Sequence, residues 1–358
     1  MNPTAHARRQ RSAVGQALLG RLASWRTLAL VIAALVAFAV ASGVALARTT
    51  ATGVERGVVI IRTTLAYQDA RAAGTGMVLT SSGEILTNNH VIRGATRITV
   101  VVPGTSHTYT AKVVGYDVAD DVALLRVAGA SNLETVTTGE SSKVGVGDRI
   151  TAVGNAGGTG TLSTATGSVT ALRRSIRVGD DTGGATRLTG LVGVNANVVA
   201  GDSGGPLLNS AGAVIGMNTA GSTGYVSRSS TDTQAYAIPI GKALSIVRQI
   251  QAGHASARIH VGATSFLGVQ VASTFRNSDF TSPGAVIAEV LRGSPAAAAG
   301  LSAGDVITAI NGRTTSSPSS IGAAILAKKP GTKITIRLTD RSGASRSATV
   351  TLASGPAQ

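Results

Sequence analysis

Residues 74–92 read GTGMVLTSSGEILTNNHVI, and this stretch decides the fold class. It holds two short runs rich in Val, Ile, Leu and Thr, separated by Ser81, Ser82 and Gly83 as a hairpin turn would separate them. Similar runs recur on both sides of it: VVIIRT (58–63), RITVVV (97–102), VALLRV (122–127) and RITAVG (149–154). This spacing predicts a mainly β domain, either a sandwich or a barrel.

The chain changes character beyond residue 240. Residues 241–253 carry apolar side chains at helical spacing and predict a helix that ends the first domain, which we place at residues 55–252. Residues 253–264 are then expected to be a linker. Residues 265–353 combine the strand run LGVQVA (267–272), a short helix near 320–328 and two final strands. This combination predicts a second, smaller α+β domain.

The composition excludes several classes of protein. With 43% hydrophobic and 14% charged residues among 358, the chain is not disordered by composition. The absence of cysteine excludes disulfides, thiolate zinc sites, cysteine-held iron–sulfur clusters and a catalytic cysteine. The formal net charge is +15, but the basic residues form no stripe interleaved with aromatics, so we expect no nucleic acid partner.

The N-terminal segment predicts export from the cytoplasm. Residues 27–47 carry no charge and have the length of a membrane-spanning helix, and five arginines precede them. Arginine favours the cytoplasmic side, so we expect residues 1–26 in the cytoplasm and the domains outside it. Two alternatives remain open: a single-pass signal-anchor in the cell membrane, or a signal peptide that is cut after Ala47 and releases a secreted protein.

Three side chains in the β-rich part have the chemistry of a serine hydrolase. His90 lies in ILTNNHVI, Asp121 opens DVALLRV, and Ser203 lies in GDSGGPLL. Serine needs a base within hydrogen-bond reach, histidine suits that role at neutral pH, and a carboxylate fixes the imidazole tautomer. The order His–Asp–Ser is one of the known orders for such a triad. Rivals for the acid and the base remain: Asp117, Asp120 and His107.

The glycines around Ser203 point to a second catalytic element. Gly201 and Gly204 permit a tight turn that exposes the backbone. The amides of Gly201 and Ser203 are therefore the expected donors to the oxyanion of a tetrahedral intermediate. Removing one donor of this kind from another enzyme costs roughly 3 kcal/mol, so the turn would supply a large part of catalysis.

These motifs, together with AVGNAGGTGTLSTATGSVTALRR (152–174), resemble the trypsin-like proteases of the HtrA/Deg family, in particular its actinobacterial PepA-type branch. The resemblance runs from about residue 58 to the end of the sequence. It implies two packed six-stranded β-barrels of chymotrypsin-like fold with the active site between them. It implies His90 as general base, Asp121 as its orienting carboxylate and Ser203 as nucleophile. No cofactor is implied, and we expect no metal because no cluster of side chains has metal-ligand spacing.

One position departs from the wider family. Eight residues before the nucleophile, where that family usually has Asp, this chain has Asn195. Asn197 is expected to line the primary specificity pocket. Without a carboxylate at that place, we expect the enzyme to prefer small or medium aliphatic side chains over Arg and Lys.

Residues 265–353 resemble a PDZ domain, which binds an extended C-terminal peptide by adding it to a sheet edge. The resemblance implies that the amides of Leu267, Gly268 and Val269 hold the peptide carboxylate, with Phe266 just before them. Ile325, on the short helix, is expected to wall the pocket for the terminal side chain.

The expected function is extracytoplasmic serine endopeptidase acting on misfolded or selected exported proteins. The expected partners are polypeptide substrates, exposed protein C-termini and, through the N-terminal helix, the membrane. The family resemblance also implies a homotrimer or a higher assembly. A rival hypothesis is a PDZ-containing chaperone or scaffold with little or no proteolytic activity.

Overall fold

The computed structural model describes residues 53–105, 107–179, 185–219, 235–273, 284–315 and 317–358. The segments expected in the cytoplasm (1–26) and in the membrane (27–47) lie outside these residues. Within the described ranges, no helix is both long enough and apolar enough to cross a bilayer.

The first barrel is built from six antiparallel strands. They are β1 (Val58–Leu65), β2 (Ala70–Val78), β3 (Glu84–Thr87), β4 (Arg97–Val101), β5 (Thr108–Asp117) and β6 (Val122–Val127). The order β5-β4-β1-β2-β3-β6 closes because β6 pairs back with β5. The predicted hairpin joins β2 to β3, and a one-turn helix, α1 (Asn89–Ile92), follows β3.

The second barrel also has six strands. They are β7 (Arg149–Gly154), β8 (Ser163–Gly179), β9 (Ala185–Val194), β10 (Pro206–Asn209), β11 (Val214–Thr219) and β12 (Ala235–Pro239). They close in the order β10-β11-β12-β9-β8-β7. The mainly β fold with two six-stranded barrels is therefore confirmed.

A shared apolar core joins the two barrels. Ile60 and Leu124 of the first barrel belong to the same buried cluster as Val153 and Met217 of the second. A helix that follows the second barrel, α2 (Ile240–Gln251), buries its apolar stripe in this cluster, as the helical spacing predicted.

The chain returns to the first barrel after α2. A short strand, β13 (Ile259–Val261), pairs antiparallel with β5 and extends the sheet of the first barrel. This strand lies inside the stretch 253–264 that we expected to be a linker. The pairing of β13 with β5 therefore attaches the start of the second domain to the first barrel.

The second domain has a six-stranded sheet and two short helices. Its elements are β14 (Thr264–Phe266), β15 (Val269–Ser273), β16 (Ala285–Val290), α3 (Pro295–Ala298), β17 (Val306–Ile310), β18 (Arg313–Thr314), α4 (Pro318–Leu326), β19 (Lys333–Thr339), β20 (Ser345–Thr351) and β21 (Ala353–Gly355). The sheet order is β15-β16-β17-β19-β20, with β18 on β17, while β14 and β21 pair separately. A capping box at Ser317 and Ser320 starts α4, which packs against β14 and β15.

Candidate active site

The histidine lies on the single turn of α1. Asn88 is at the N-cap position without a side-chain capping bond, and its Nδ2 instead donates to the main-chain oxygen of Asp121 at 2.9 Å. Because a helix of one turn is not stable alone, tertiary bonds of this kind hold it in place. The sequence between β3 and α1 thus fixes His90 beside the start of β6.

His90 and Asp121 form two direct hydrogen bonds. The main-chain N–H of His90 donates to Asp121 Oδ1 at 2.9 Å, and Nδ1 of the ring lies 2.8 Å from Oδ2. With Nδ1 bonded to the carboxylate, the tautomer that donates through Nδ1 leaves Nε2 as the acceptor. Asp121 is buried and has φ of 56°, a left-handed conformation that Asp tolerates better than most residues.

The structure separates Asp121 from its rivals. Asp120 forms ion pairs with Lys242, at 2.6 Å, and with Arg258. Asp117 accepts the main-chain N–H of Asp120 at 2.9 Å. Of these three carboxylates, it is Asp121 that contacts His90.

The other histidine considered above, His107, is exposed and stacks on Tyr109, with ring centroids 6.3 Å apart. It therefore lies on the surface, bonded to neighbours in its own turn. Its main-chain N–H donates to Thr105 Oγ1 at 3.1 Å.

Thr219, at the end of β11, completes the surroundings of the carboxylate. Its hydroxyl donates to Asp121 Oδ2 at 3.3 Å, and both residues are buried. No local pattern in the sequence predicts this role, because a threonine at a strand end has no signal that distinguishes it. The bond fixes the same oxygen that faces the imidazole.

The pKa of His90 is raised above its ordinary value. The protein atoms around the partly exposed ring desolvate it and disfavour the charged form, but the negative charge of Asp121 and its hydrogen bond to the ring outweigh that cost. The positive charge of Arg93 opposes the rise only weakly. A base with such a pKa is neutral, and able to accept a proton, only toward neutral and higher pH.

The turn that carries Ser203 is hydrogen-bonded to both barrels. Thr75, on β2, donates its N–H to Ser203 O at 2.9 Å and its hydroxyl to Gly201 O at 2.7 Å. Gly204 N–H donates to Asn218 O, on β11, at 2.9 Å. The nucleophile candidate therefore sits where the two barrels meet.

Two glycines of this turn have left-handed backbones. Gly201 has φ of 97° and Gly204 has φ of 85°. A β-carbon would lie 2.2 Å from Asn155 O at Gly201 and 2.1 Å from Thr75 O at Gly204. Neither position has room for a side chain, which explains the glycines that the motif contains.

Ser203 and α1 approach the same point of β2. A β-carbon at Gly74 would lie 2.6 Å from Cγ1 of Val91 and 3.3 Å from Ser203 O. Val91 is the residue after His90, so Gly74 lets the helix and the serine turn pack side by side. Ser203 is buried, with 4% of its surface exposed.

Asp202 is a buried carboxylate that the sequence analysis did not single out. Its Oδ2 accepts the N–H of Val199 at 2.9 Å, whereas Oδ1 has no hydrogen-bond partner among the described residues. Burial, partly opposed by that one bond, raises the pKa of Asp202 to about 6. In the sequence, Asp202 stands between Gly201 and Ser203, the two residues expected to supply the oxyanion donors.

The expected specificity residues lie on the segment before this turn. Asn197 is exposed, while its neighbours Ala196 and Val198 are buried. Asn195 is exposed too, and its Oδ1 accepts the N–H of Ser168 at 2.7 Å. Asn195 thus ties the segment to β8.

The residues expected to bind peptide surround the start of β15. Gly268 has φ of 83°, and a β-carbon there would lie 2.1 Å from Ser294 Cβ. The carbonyl groups of Leu267 and Gly268 accept N–H groups of Ala296 and Leu291, at 3.0 and 2.9 Å. Val269 begins β15, at one end of the sheet order. The loop is therefore pinned by its carbonyls at a sheet edge.

The two apolar residues of this region are in different surroundings. Ile325, on α4, is buried in the core of the second domain together with Leu267. The ring of Phe266 instead stacks on Tyr67 of the first barrel, with centroids 5.1 Å apart. Phe266 thus contributes to the contact between the domains.

In the described part of the chain, no cluster of three His, Asp or Glu side chains could hold a metal ion.

Known protein families match two consecutive parts of the chain. The family described as "Trypsin-like peptidase domain" matches residues 74–217, and the family described as "PDZ domain" matches residues 247–339. The first match contains His90, Asp121 and Ser203, and the second contains the loop 266–269.

Several curated proteins are similar over most of this chain. The probable periplasmic serine protease do/HhoA-like of Haemophilus influenzae is 38% identical over 74% of this chain and 55% of its own length. Serine protease PepD of Mycobacterium tuberculosis is 33% identical over 82% and 63%. The periplasmic pH-dependent serine endoprotease DegQ of Escherichia coli is 35% identical over 76% and 57%. The chain thus spans somewhat more than half the length of these relatives.

Among solved structures, the HtrA-type protease AlgW with tripeptide is 29% identical, with a TM-score of 0.47 over 83% of this chain and 93% of that one. The two family matches, in this order, and the curated relatives assign the sequence to one group. The chain belongs to the HtrA family of trypsin-like serine proteases that carry a PDZ domain.

Proposed function

We propose that this protein is an extracytoplasmic serine endopeptidase that hydrolyses misfolded or selected exported proteins. The observation that carries the proposal is the 2.8 Å bond between His90 Nδ1 and Asp121 Oδ2, on a helix packed beside the Ser203 turn. Curated relatives that are named serine proteases support the same reaction class. No cofactor takes part in the proposed reaction.

The reaction proceeds through an acyl-enzyme. Ser203 Oγ attacks the carbonyl carbon of the scissile peptide bond while His90 Nε2 takes its proton. Asp121 stabilises the resulting imidazolium, and the N–H groups of Gly201 and Ser203 bind the oxyanion. His90 then donates the proton to the leaving amine, and water hydrolyses the ester with His90 as base again. Amine, carboxylic acid and free enzyme are the products.

Casein digestion by wild type and by Ser203→Ala tests this function. We expect proteolysis to become undetectable in the variant, because loss of the nucleophile of such a triad cost about 10⁶-fold in kcat in one protease. Equal digestion by both proteins would contradict the proposal. Absence of digestion by wild type, with binding of unfolded protein retained, would favour the PDZ-containing chaperone or scaffold.

The proposed primary specificity is for small or medium aliphatic side chains. The two positions expected at the pocket, Asn195 and Asn197, carry neutral amides and not carboxylates. A cationic substrate side chain would therefore have no charged partner at these positions. Digestion of a peptide library measures the preference. Cleavage mainly after Arg or Lys would contradict it.

The second domain is proposed to bind exposed protein C-termini. Its loop at Leu267, Gly268 and Val269 lies at the edge strand β15, beside α4, where a peptide strand can be added. A peptide with a free C-terminal carboxylate should bind, and its amidated form should bind more weakly. Equal affinities would contradict the proposal that the amides of Leu267, Gly268 and Val269 bind the peptide carboxylate.

Residues 27–47 are proposed to anchor the protein in the cell membrane, or to direct its secretion if they are removed after Ala47. N-terminal sequencing of the mature protein distinguishes these alternatives. The proposed homotrimer or higher assembly is tested by analytical ultracentrifugation of the exported part.

A further inference from the structure

The end of the second domain reaches back to the helix that carries His90. We call residues 353–358 the strap. Ala357 O accepts the N–H of Gly94, just after α1, at 2.9 Å. Gln358 O accepts Nδ2 of Asn89, the first residue of α1, at 3.0 Å. The strap therefore bonds to α1 at both of its ends.

The strap is also packed into the first barrel. Pro356 and Ala357 are buried, and Ala357 belongs to the same apolar cluster as Val91, Ile92 and Tyr116. Ala357 is only 4% exposed, although it is far from this cluster in sequence. The core of the first barrel is thus completed by a residue of the strap.

The same helix also bonds to Asp121, just before β6. The N–H and the ring of His90 bond to its carboxylate, and Asn88 Nδ2 bonds to its main-chain oxygen. The one-turn helix is therefore held both by Asp121 and by the strap. Without the strap, the hydrogen bonds of Asn89 to Gln358 and of Gly94 to Ala357 would be lost.

We propose that the strap is a positioning element for the proposed protease reaction: it holds α1 so that His90 faces Asp121 and Ser203. This inference rests on the proposed function. Asn89, Ala357 and Gln358 act through α1 and do not touch the reacting atoms.

The strap starts at the expected peptide-binding end of the second domain. Residues Ala353–Gly355 pair with β14, the strand that runs into the loop 266–269. A β-carbon at Gly355 would lie 2.3 Å from Phe266 Cβ, so the strap packs directly on this residue. A continuous chain of contacts therefore runs from that loop, through β14 and β21, to His90.

A variant that ends at Gly355 tests the proposal. With a short peptide substrate, we expect kcat to fall by about 10- to 100-fold with little change in KM, since misplacement by about 1 Å can cost 10²-fold. The acidic limb of the pH profile should move to lower pH, because a displaced His90 loses the carboxylate that raises its pKa. Unchanged kcat and pH profile would overturn the proposal.

Point variants of the full-length chain keep the test decisive if the shortened chain does not fold. Asn89→Ala should lower kcat in the same way. Where the shortened chain does fold, adding Asn89→Ala to it should cause no further loss. Gly355→Ala should also lower kcat, whereas Gly322→Ala, where nothing lies within 4 Å of the added carbon, should not. Full and additive losses from Asn89→Ala and the shortening, or wild-type kcat in Gly355→Ala, would contradict the strap.

A titration of His90 by NMR separates this proposal from the proposed function. It is measured in Ser203→Ala, with and without residues 356–358, and needs no turnover. A lower pKa in the shortened protein supports the strap even if wild type proves inactive, and an equal pKa refutes it. Absence of Ser203-dependent turnover in wild type refutes the proposed function alone.

Discussion

Replacing Asp202 by asparagine should stabilise the protein at neutral and alkaline pH. The carboxylate is 5% exposed, one of its oxygens has no hydrogen-bond partner among the described residues, and its pKa is raised from 3.8 to about 6. The folded protein therefore binds the proton of Asp202 more tightly than the unfolded chain does. The stability that Asp202 contributes is present below pH 3.8 and is lost as the pH rises through about 6.

The size of the effect follows from the same pKa values. A rise from 3.8 to about 6, at 1.36 kcal/mol per pKa unit, corresponds to as much as about 3 kcal/mol of free energy of unfolding. Asp202→Asn removes the buried charge and can keep the acceptor for the N–H of Val199. We therefore expect the variant to exceed wild type by up to about this amount at pH 8, and the difference to shrink below pH 6.

Urea unfolding of both proteins between pH 4.5 and pH 8 measures the difference. Asp69→Asn is the matched control, because Asp69 has an exposed side chain and a left-handed backbone that asparagine also tolerates. The control should change stability little at any pH. A difference for Asp202→Asn that does not depend on pH, or a wild type that is the more stable protein at pH 8, would refute the reasoning.

Two further predictions concern the catalytic pair and the peptide loop. Asp121→Asn should lower kcat by about 10⁴-fold, as for the same change in another serine protease, and should shift the acidic limb of the pH profile downward, since the carboxylate raises the pKa of His90; an unshifted limb would contradict the assigned cause. Gly268→Ala should abolish binding of C-terminal peptides, measured by calorimetry, because the added carbon would lie 2.1 Å from Ser294 Cβ at a φ of 83°; wild-type affinity would show that the loop tolerates a side chain.

The sequence predicted those parts of the fold and site that local patterns determine. Short runs rich in Val, Ile, Leu and Thr, bounded by turn residues, predicted a mainly β chain. Residue chemistry selected His90 and Asp121 as candidates, which the structure brings into contact. These inferences needed no knowledge of distant contacts.

Features that depend on distant contacts could not be predicted in this way. The bond between Asn89 and Gln358 joins residues 269 positions apart, and no local pattern marks either of them. Thr219 and Asp202 have roles only because of what the fold packs around their side chains. The strand β13 was missed since three residues in a polar stretch have too little alternation to indicate a strand.

The second domain is joined to the first barrel at both of its chain ends, by β13 on β5 and by the strap on α1. A domain on a single flexible linker would swing freely and transmit no force. Attachment at two points instead means that a pull on a polypeptide held by the second domain loads both joints at once. Part of that load would reach α1 through the strap. Mechanical tension in a polypeptide bound by the second domain would therefore act on the helix that carries His90.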